Sequence, residues 1–375
     1  MTEERYLKTL EFDKILNSLA DLTICSDAGE KARSLLPFDE LPHAQRELNL
    51  TVGANTLSNK YGYPNMLKTE NCASSIHRAA MGGSLTLREL LSVLKVLKTM
   101  RNLDSYKKQA EGENPLDYLF ECLYLNRDLE MKLTNSIISE EELDDNASSE
   151  LSDIRRKMRN AALKVRSQLD SMIHSQAYQK FLQEPIVTIR DGRFVIPVKA
   201  EYKNEVKGLI HDTSASGASL FIEPMSVVTL NNEIRVLENK EKLEEERIIA
   251  ELSSLVGDFE EEINAGYSAA ADLDFCFAKS KLADKMRGNI PILTDNGKTV
   301  LKKARHPFIP FEKAVPIDIS VGDEYDTLVI TGPNTGGKTV AIKTLGLLSI
   351  MAASGLMISV MSNPLSRAFP HFQPT

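Results

Sequence analysis

Apolar residues recur at helical spacing through most of the first 285 residues of the chain. One such face is formed by five leucines: Leu87, Leu90, Leu91, Leu94 and Leu97. Just before them, Thr86 and Glu89 have the spacing of a capping box, which starts a helix. The segments GYPNM at 62–66 and AAMGGS at 79–84 carry the glycine and proline residues typical of connections.

Two longer helical patterns follow. The first begins after the acidic run SEEELDDNASSE at 139–150, which we interpret as a solvated helix start or loop. Its apolar face is Leu151, Ile154, Met158, Ala162, Val165 and Leu169. The second runs from Thr229 to about Ala265, and its length predicts a single long helix of an arm or coiled-coil hairpin.

Strand signals lie between these two patterns. IVTIRDGRFVIPV at 186–198 has β-branched residues on both sides of Asp191-Gly192, a hairpin-turn dipeptide, and 208–224 has two further apolar runs around a turn. His211, Asp212 and Ser214 fall in this region, but residues so close along one strand cannot form a hydrolase triad. The sequence therefore predicts a small β element between two long helices.

The last part of the chain changes character near residue 290. TVLKKARHPFI, VPIDISVG and TLVITG are three strand-like runs, and a helical run follows them. The residues between Lys343 and Arg367 carry no charge, and we interpret them as a buried helix ending near Gly355 followed by a buried strand, not as a membrane span. This part indicates the start of an α/β nucleotide-binding domain.

Composition narrows the class of protein. With 42% apolar and 26% charged residues and a net charge of −8, the chain is typical of a globular protein and has no overall basic footprint. Its four cysteines are far apart, which favours reduced cytosolic thiols over a disulfide framework or zinc site, and the N-terminus has no signal-peptide core. We therefore expect a cytoplasmic protein.

One helix departs from the acidic balance. RRKMRNAALKVR at 155–166 holds six basic residues and no acidic one: Arg155, Arg156, Lys157, Arg159, Lys164 and Arg166. Because the apolar residues occupy the other face, these cations project together. They are either a solvated helix face or a face that contacts nucleic-acid phosphates.

Residues 332–339 fit the phosphate-binding pattern GxxxxGK[ST] at every fixed position. They are Gly332, Pro333, Asn334, Thr335, Gly336, Gly337, Lys338 and Thr339. An apolar β run precedes them and a helical run follows, as the motif requires. Lys338 is expected to reach the β- and γ-phosphates of ATP, and Thr339 to offer its hydroxyl to Mg²⁺.

The amino-acid sequence of this loop, TGPNTGGKT, together with RHP at 305–307 upstream, resembles that of the MutS family of DNA mismatch-repair ATPases. IHRAAMGGSLTLRELL at 76–91, the segment 190–224 with SASGASLFIEP, and LNNEI at 230–234 resemble its second bacterial branch, MutS-two, an endonuclease bearing a Smr domain. The resemblance covers about residues 1–355.

This resemblance implies a mainly α core and lever region, with a small β element on a long helical arm, followed by the start of an α/β P-loop ATPase domain of ABC type. We assign 1–150 to the helical core, 151–285 to the arm with hairpins at 186–224, 290–360 to the first part of the ATPase domain and 361–375 to an irregular tail. His306, Pro307, Val315 and Pro316 would face the adenine, although RHP is equally compatible with a strand end packed beneath the loop.

The resemblance also implies function. Members bind branched or mismatched DNA, suppress recombination and, in some cases, rescue collided ribosomes, and they work as homodimers. The sequence after Thr339 lacks the acidic strand end, the signature loop and the nuclease domain that such a protein needs, so we expect a truncated chain that binds ATP weakly at best and does not hydrolyse it. The alternative is a non-enzymatic nucleic-acid- or ribosome-binding arm with a vestigial P-loop. An unrelated P-loop kinase or transporter ATPase is disfavoured because the helical region matches no substrate domain of that kind.

Overall fold

The structure is a computed structural model that describes residues 2–322, 325, 327–331 and 337–361. The chain divides into two compact units. The first unit comprises the described residues of 1–77, 92–130 and 259 onward, and the second comprises 78–91 and 131–258.

Helices dominate the described residues. They are α1 Thr2–Thr9, α2 Phe12–Ala20, α3 Ser26–Arg33, α4 Leu41–Tyr61, α5 Ala73–Ala80, α6 Leu87–Lys107, α7 Asp117–Glu121, α8 Arg127–Ser136, α9 Ser149–Ile173, α10 Gln176–Gln179, α11 Met225–Gly257, α12 Glu260–Met286 and α13 Lys338–Ala353. The predicted capping box at the start of α6 is confirmed: the Thr86 amide donates to Glu89 Oε2 at 2.8 Å, and the Glu89 amide donates to Thr86 Oγ1 at 3.3 Å.

The strands form two small antiparallel sheets. They are β1 Thr188–Arg190, β2 Arg193–Lys199, β3 Gly208–Thr213, β4 Ser219–Pro224, β5 Thr299–Ala304 and β6 Ile317–Val321. The first sheet has the order β1-β2-β4-β3, and β5 pairs with β6 in the second. The predicted hairpin turn is confirmed, because Asp191 and Gly192 both have positive φ between β1 and β2. The structure is therefore mainly α with small β elements, as predicted.

Helix α12 forms the centre of the first unit. It packs against α3, α4 and α7, and its apolar residues are buried on nearly every side. Two charged side chains of α12 are buried too. Asp274 Oδ2 accepts bonds from the backbone amides of Ile24 (2.6 Å) and Cys25 (2.7 Å), and Lys279 Nζ lies 2.7 Å from Glu47 Oε2. These partners offset the cost of burying the two charges.

Residues distant in sequence meet at the end of α13. The amide of Phe38 donates to the Ala353 carbonyl at 3.0 Å, and Thr51 Oγ1 donates to the Gly355 carbonyl at 2.7 Å. Gly355 has a φ of 72°, which glycine adopts readily. The helix therefore ends near Gly355, as predicted.

In the second unit, α9 and α11 lie antiparallel, because Ser148 bonds to Glu244 at one end and Ser226 bonds to Met172 at the other. The four-stranded sheet connects them in sequence, and both helices share a core with it. The buried residues of this core include Val165, Leu169, Ile196, Ile222 and Val227. The predicted β element between two long helices is confirmed.

The prediction of a single helix from Thr229 to Ala265 was wrong. Helix α11 ends at Gly257 and α12 begins at Glu260, because Phe259 has the non-helical angles φ −119° and ψ 32°. The local sequence explains the break. Gly257 is a poor helix former, and the acidic first turn at 260–262 stabilises a new helix N-terminus.

Two predicted strands near the phosphate-binding motif are not formed in the described residues. Residues 327–330 form no strand. After Gly355, Ile358 makes an isolated bridge to Asn289, and the Arg305 and Met361 amides donate to the Ser359 and Lys302 carbonyls, but these bonds do not make a regular strand. A strand needs a neighbouring ladder of hydrogen bonds, and within the described ranges β6 pairs with β5 instead. An α/β P-loop sheet therefore stays a prediction.

Candidate functional site

Most of the predicted phosphate-binding loop, Gly332 to Gly336, lies outside the described residues. Its final part is described. Gly337 has a φ of 80° and immediately precedes α13, whose first two residues are Lys338 and Thr339. A left-handed glycine at the N-terminus of a helix points backbone amides outward, beside the positive end of the helix dipole. The predicted helix after the motif is confirmed.

A cavity of about 620 Å³ lies beside this helix start, lined by α13 and by the segment from β5 to β6. Its volume is in the range of small-molecule sites. His306 and Val315 line it together with Lys338, whereas Pro307 lines a neighbouring cavity and Pro316 is exposed. Two of the four residues expected to face adenine therefore share a cavity with the motif lysine.

An ion-pair cluster that sequence reasoning missed borders this cavity. The carboxylate of Glu11 lies 2.7 Å from Lys14 Nζ, 3.6 Å from Lys343 Nζ on α13 and 3.6 Å from His306 Nε2. The hydrogen bond from Lys14 and the nearby cations hold the pKa of Glu11 below its usual value, and burial lowers the pKa of His306. We call Glu11, Lys14, His306 and Lys343 the Glu11 cluster. Glu11 also has a positive φ of 66°, which a sequence pattern does not reveal.

The basic helix in the second unit is α9, and its six cations do not behave alike. Arg155 is only 13% exposed and contacts three carboxylates, those of Asp145, Glu241 and Glu245, at 2.7–2.9 Å. It therefore holds α9 against α11 and does not project from the helix. Sequence reasoning missed these partners, because Glu241 and Glu245 are 86 and 90 residues away.

The other five cations of the predicted set are exposed. Arg156 pairs with Asp153 and Arg159 with Asp145, whose pKa lies below its usual value because Arg155 and Arg159 donate hydrogen bonds to it. Lys157, Lys164 and Arg166 have no carboxylate within 4.0 Å among the described residues. We call these three residues the α9 cation set. They are the part of the predicted cation set that is open to an anionic partner; at helical spacing Lys157 and Lys164 lie on one side of α9, and Arg166 lies on the opposite side.

The His211, Asp212 and Ser214 side chains do not form a relay. His211 Nε2 lies 2.5 Å from Glu223 Oε2, and Ser214 Oγ accepts a bond from the Ser219 amide. Glu223 is fully buried, and its carboxylate also binds Arg193 at 2.8 Å and Asn231 at 2.7 Å. This Glu223 network joins β2, β3, β4 and α11.

Other kinds of site are not seen in the described part of the chain. No group of His, Cys, Asp or Glu residues there could hold a metal ion, and all four cysteines are free. None of its helices is both long and apolar enough to cross a membrane.

Curated proteins show what the chain is similar to. It is 42% identical over 359 residues to "Endonuclease MutS2" of Acetivibrio thermocellus and 39% identical over 355 residues to that of Caldicellulosiruptor saccharolyticus. In both cases the match covers 95% of this chain. The chain belongs to the MutS2 family.

The MutS2 match has a clear extent. The chain spans about 45% of the length of these relatives, and 46% of a MutS2 of Clostridium botulinum that is 41% identical to it. No protein-family model matches the chain. Because the match covers nearly all of the chain, it includes both structural units and confirms the resemblance carried by the RHP and SASGASLFIEP segments.

Proposed function

We propose that the chain binds ATP with Mg²⁺ at residues 332–339. The observation that carries this proposal is the position of the motif lysine: Lys338 begins α13 directly after a left-handed glycine, and it lines the 620 Å³ cavity with His306 and Val315. Helix starts of this kind bind phosphate. An apolar side chain such as Val315, which is 80% exposed, would cover one face of the base.

Each residue of the motif has a role in this proposal. Backbone N–H groups of the motif, to which Pro333 contributes none, would cradle the β-phosphate. Lys338 would contact the β- and γ-phosphates, and the Thr339 hydroxyl would coordinate Mg²⁺. His306 and Lys343 would be held beside the nucleotide by Glu11.

Titration with a fluorescent ATP analogue and Mg²⁺ tests the proposal. Lys338→Ala removes a charge-assisted contact, so we expect at least about tenfold weaker binding. Lys302→Ala is the matched control, because Lys302 lies on β5 away from this cavity and makes only a long 3.9 Å ion pair with Asp318. Equal affinity of the Lys338→Ala variant and the unmodified chain would refute the proposal.

We propose further that these 375 residues, taken alone, bind ATP without turnover. Residues 340–375 include no Asp or Glu, so they offer no side-chain carboxylate to hold Mg²⁺ or to activate water. Steady phosphate release by the purified chain that Lys338→Ala abolishes would contradict this.

A second proposed function is nucleic-acid binding by the second unit, and the α9 cation set favours it. On one helix of an otherwise acidic chain, three exposed cations have no carboxylate partner among the residues that the structure describes. We propose branched or mismatched DNA as the ligand. For the longer protein we propose the roles that the resemblance implies: dimerisation, nuclease action, suppression of recombination and ribosome rescue.

Salt-dependent binding of a fluorescent branched DNA tests this second function. Replacing the α9 cation set by glutamate should weaken binding and reduce the slope of log K against log salt by about two to three. The charge-matched control replaces Lys8, Lys68 and Lys95, three exposed lysines of the first unit, by glutamate. An unchanged slope in the α9 variant would refute DNA binding at this face, and purified ribosomes in place of DNA test the other partner.

A further inference from the structure

A second cavity of the first unit, of about 360 Å³, is lined by cations and aromatic rings. It is formed by the C-terminal end of α12, with Lys285 and Arg287, and by the segment after β5, with Arg305, Phe308 and Phe311. We call it the arginine cavity. The proposed functions above give no role to these five residues, although His306 lines both this cavity and the 620 Å³ cavity.

The arginine cavity gathers positive charge, and within the described part of the chain no carboxylate pairs with it. The guanidinium carbons of Arg287 and Arg305 lie 4.2 and 4.1 Å from the centroid of the Phe311 ring. Neither arginine, nor Lys285, has a carboxylate within 4.0 Å among the residues that the structure describes. The carboxylates nearest in sequence, Asp284 and Glu312, do not line the cavity, and Asp284 is bonded to Tyr63 and Asn55.

The two arginines are held in place by different means. The Arg305 amide donates to the Ser359 carbonyl at 3.0 Å, and its Nε donates to the Ala314 carbonyl at 3.3 Å. Its terminal guanidinium nitrogens have no hydrogen-bond partner among the described residues. Arg287 occupies the left-handed C-cap position of α12, with a φ of 51°, where glycine is the usual residue.

Helix electrostatics account for only part of this arrangement. Cations at a helix C-terminus are stabilised by the helix dipole, which explains Lys285 and Arg287. Arg305 comes from a separate segment, and its guanidinium shares the Phe311 ring with that of Arg287 as a cation–π partner, which brings two like charges near each other. An anion bound by the N–H groups that the ring leaves open would offset the repulsion between the two charges.

We propose that the arginine cavity binds a nucleoside phosphate, either a nucleotide of a single nucleic-acid strand or a free mononucleotide. Arg287 and Arg305 donate hydrogen bonds to the phosphate oxygens, because the planar guanidinium matches their geometry. Phe308, whose side chain is 39% exposed in the cavity wall, stacks on the base. The site is separate from the phosphate-binding motif, so the proposal does not depend on ATP binding there.

Fluorescence anisotropy with a labelled short oligothymidylate tests the proposal on the full chain. We expect the double variant Arg287→Gly, Arg305→Gln to bind at least about tenfold more weakly than the unmodified chain. Glycine suits the left-handed backbone at 287, so this variant keeps the end of α12, and its circular dichroism and melting temperature verify the fold. Lys68→Gln with Lys95→Gln is the matched control for the loss of two exposed charges.

Three further measurements separate the sources of phosphate and the other sites. Thymidine monophosphate is added as a competitor to the Lys338→Ala variant, whose ATP site is weakened. If it displaces the oligothymidylate, the cavity binds a free mononucleotide. If it does not, the cavity binds a nucleotide within a single strand. The glutamate variant of the α9 cation set is measured in the same assay. It should still bind the oligothymidylate at the arginine cavity, which the double arginine variant should not. The fluorescent ATP analogue should bind the double arginine variant normally, so a failure here is distinct from a failure of the ATP site.

The proposal is overturned if the double arginine variant binds the oligothymidylate as tightly as the control variant. It is also overturned if Phe308→Ala leaves the affinity unchanged while inorganic phosphate competes as well as the nucleotide. In that case the cavity takes a simple anion and not a nucleoside phosphate.

Discussion

Removing the carboxylate of Glu223 is expected to destabilise the sheet of the second unit severely. Glu223 is 0% exposed, and three side chains converge on it: Arg193 contacts both of its oxygens, at 2.8 and 3.0 Å, and His211 and Asn231 contact one each. In Glu223→Ala, Arg193 keeps only its bond to Asn232, at 2.7 Å. A guanidinium that is 15% exposed is then left without a counterion.

The magnitude follows from this arrangement. Breaking a buried ion pair by removing one partner costs about 3–5 kcal/mol, because the other charge stays buried and uncompensated. Removing both charges together costs much less, so we expect Arg193→Met to restore most of the stability of a Glu223→Met variant. An exposed carboxylate of the same unit, Glu205, should cost less than about 0.5 kcal/mol when it is replaced by alanine.

Hydrogen exchange measures this effect locally, which matters because a chain of two units need not unfold in one step. The amides of β2 and β4 should exchange at least about a hundredfold faster in Glu223→Ala than in the unmodified chain, and the amides of α12 in the first unit should not change. Glu205→Ala is the control. Protection of β4 within a factor of ten of the unmodified chain would limit the contribution of Glu223 to about 1.4 kcal/mol and would refute the predicted cost of a broken buried ion pair.

Two further predictions concern buried groups of the first unit. Burial raises the pKa of Asp274 above 3.8, so its contribution to stability is complete below that pH and is lost as the pH rises through the raised pKa. Asp274→Asn is the comparison, because its side chain can keep an oxygen towards the Ile24 and Cys25 amides. In urea unfolding, the unmodified chain should become more stable relative to this variant as the pH is lowered from neutral to about 4. A stability difference that does not vary with pH would refute the raised pKa of Asp274. Burial also raises the pKa of Cys25 and of Cys276 to about 12. A thiol reagent should therefore modify the exposed Cys122 rapidly in the folded chain, and Cys25 and Cys276 only after denaturation. Rapid modification of the folded Cys122→Ser variant would contradict this.

Local features of the fold could be predicted from the sequence because their causes are local. The capping box at Thr86 and the turn at Asp191-Gly192 depend on residues within three positions of each other. The break between α11 and α12 was missed because the helical apolar pattern continues across Phe259, and the local signals for a break, Gly257 and the acidic residues 260–262, are weak beside it.

The candidate sites show the same division. The motif identified Lys338 and the helix that follows, because its glycine spacing encodes a local backbone shape. The partners of Arg155 and the contacts of Glu11 could not be predicted, since the interacting residues are up to about three hundred positions apart. The number of basic residues along α9 therefore overestimated how many of its cations are free of carboxylate partners among the described residues.

The contacts at the end of α13 constrain how the first unit can be made during synthesis. Phe38 and Thr51 are translated some three hundred residues before the carbonyl groups of Ala353 and Gly355 that they bind. Until then, the early helices emerge from the ribosome with apolar surface uncovered, while the intervening residues 131–258 can already fold as a body of their own. Late closure of the first unit follows from this long-range pairing, because non-local contacts form slowly.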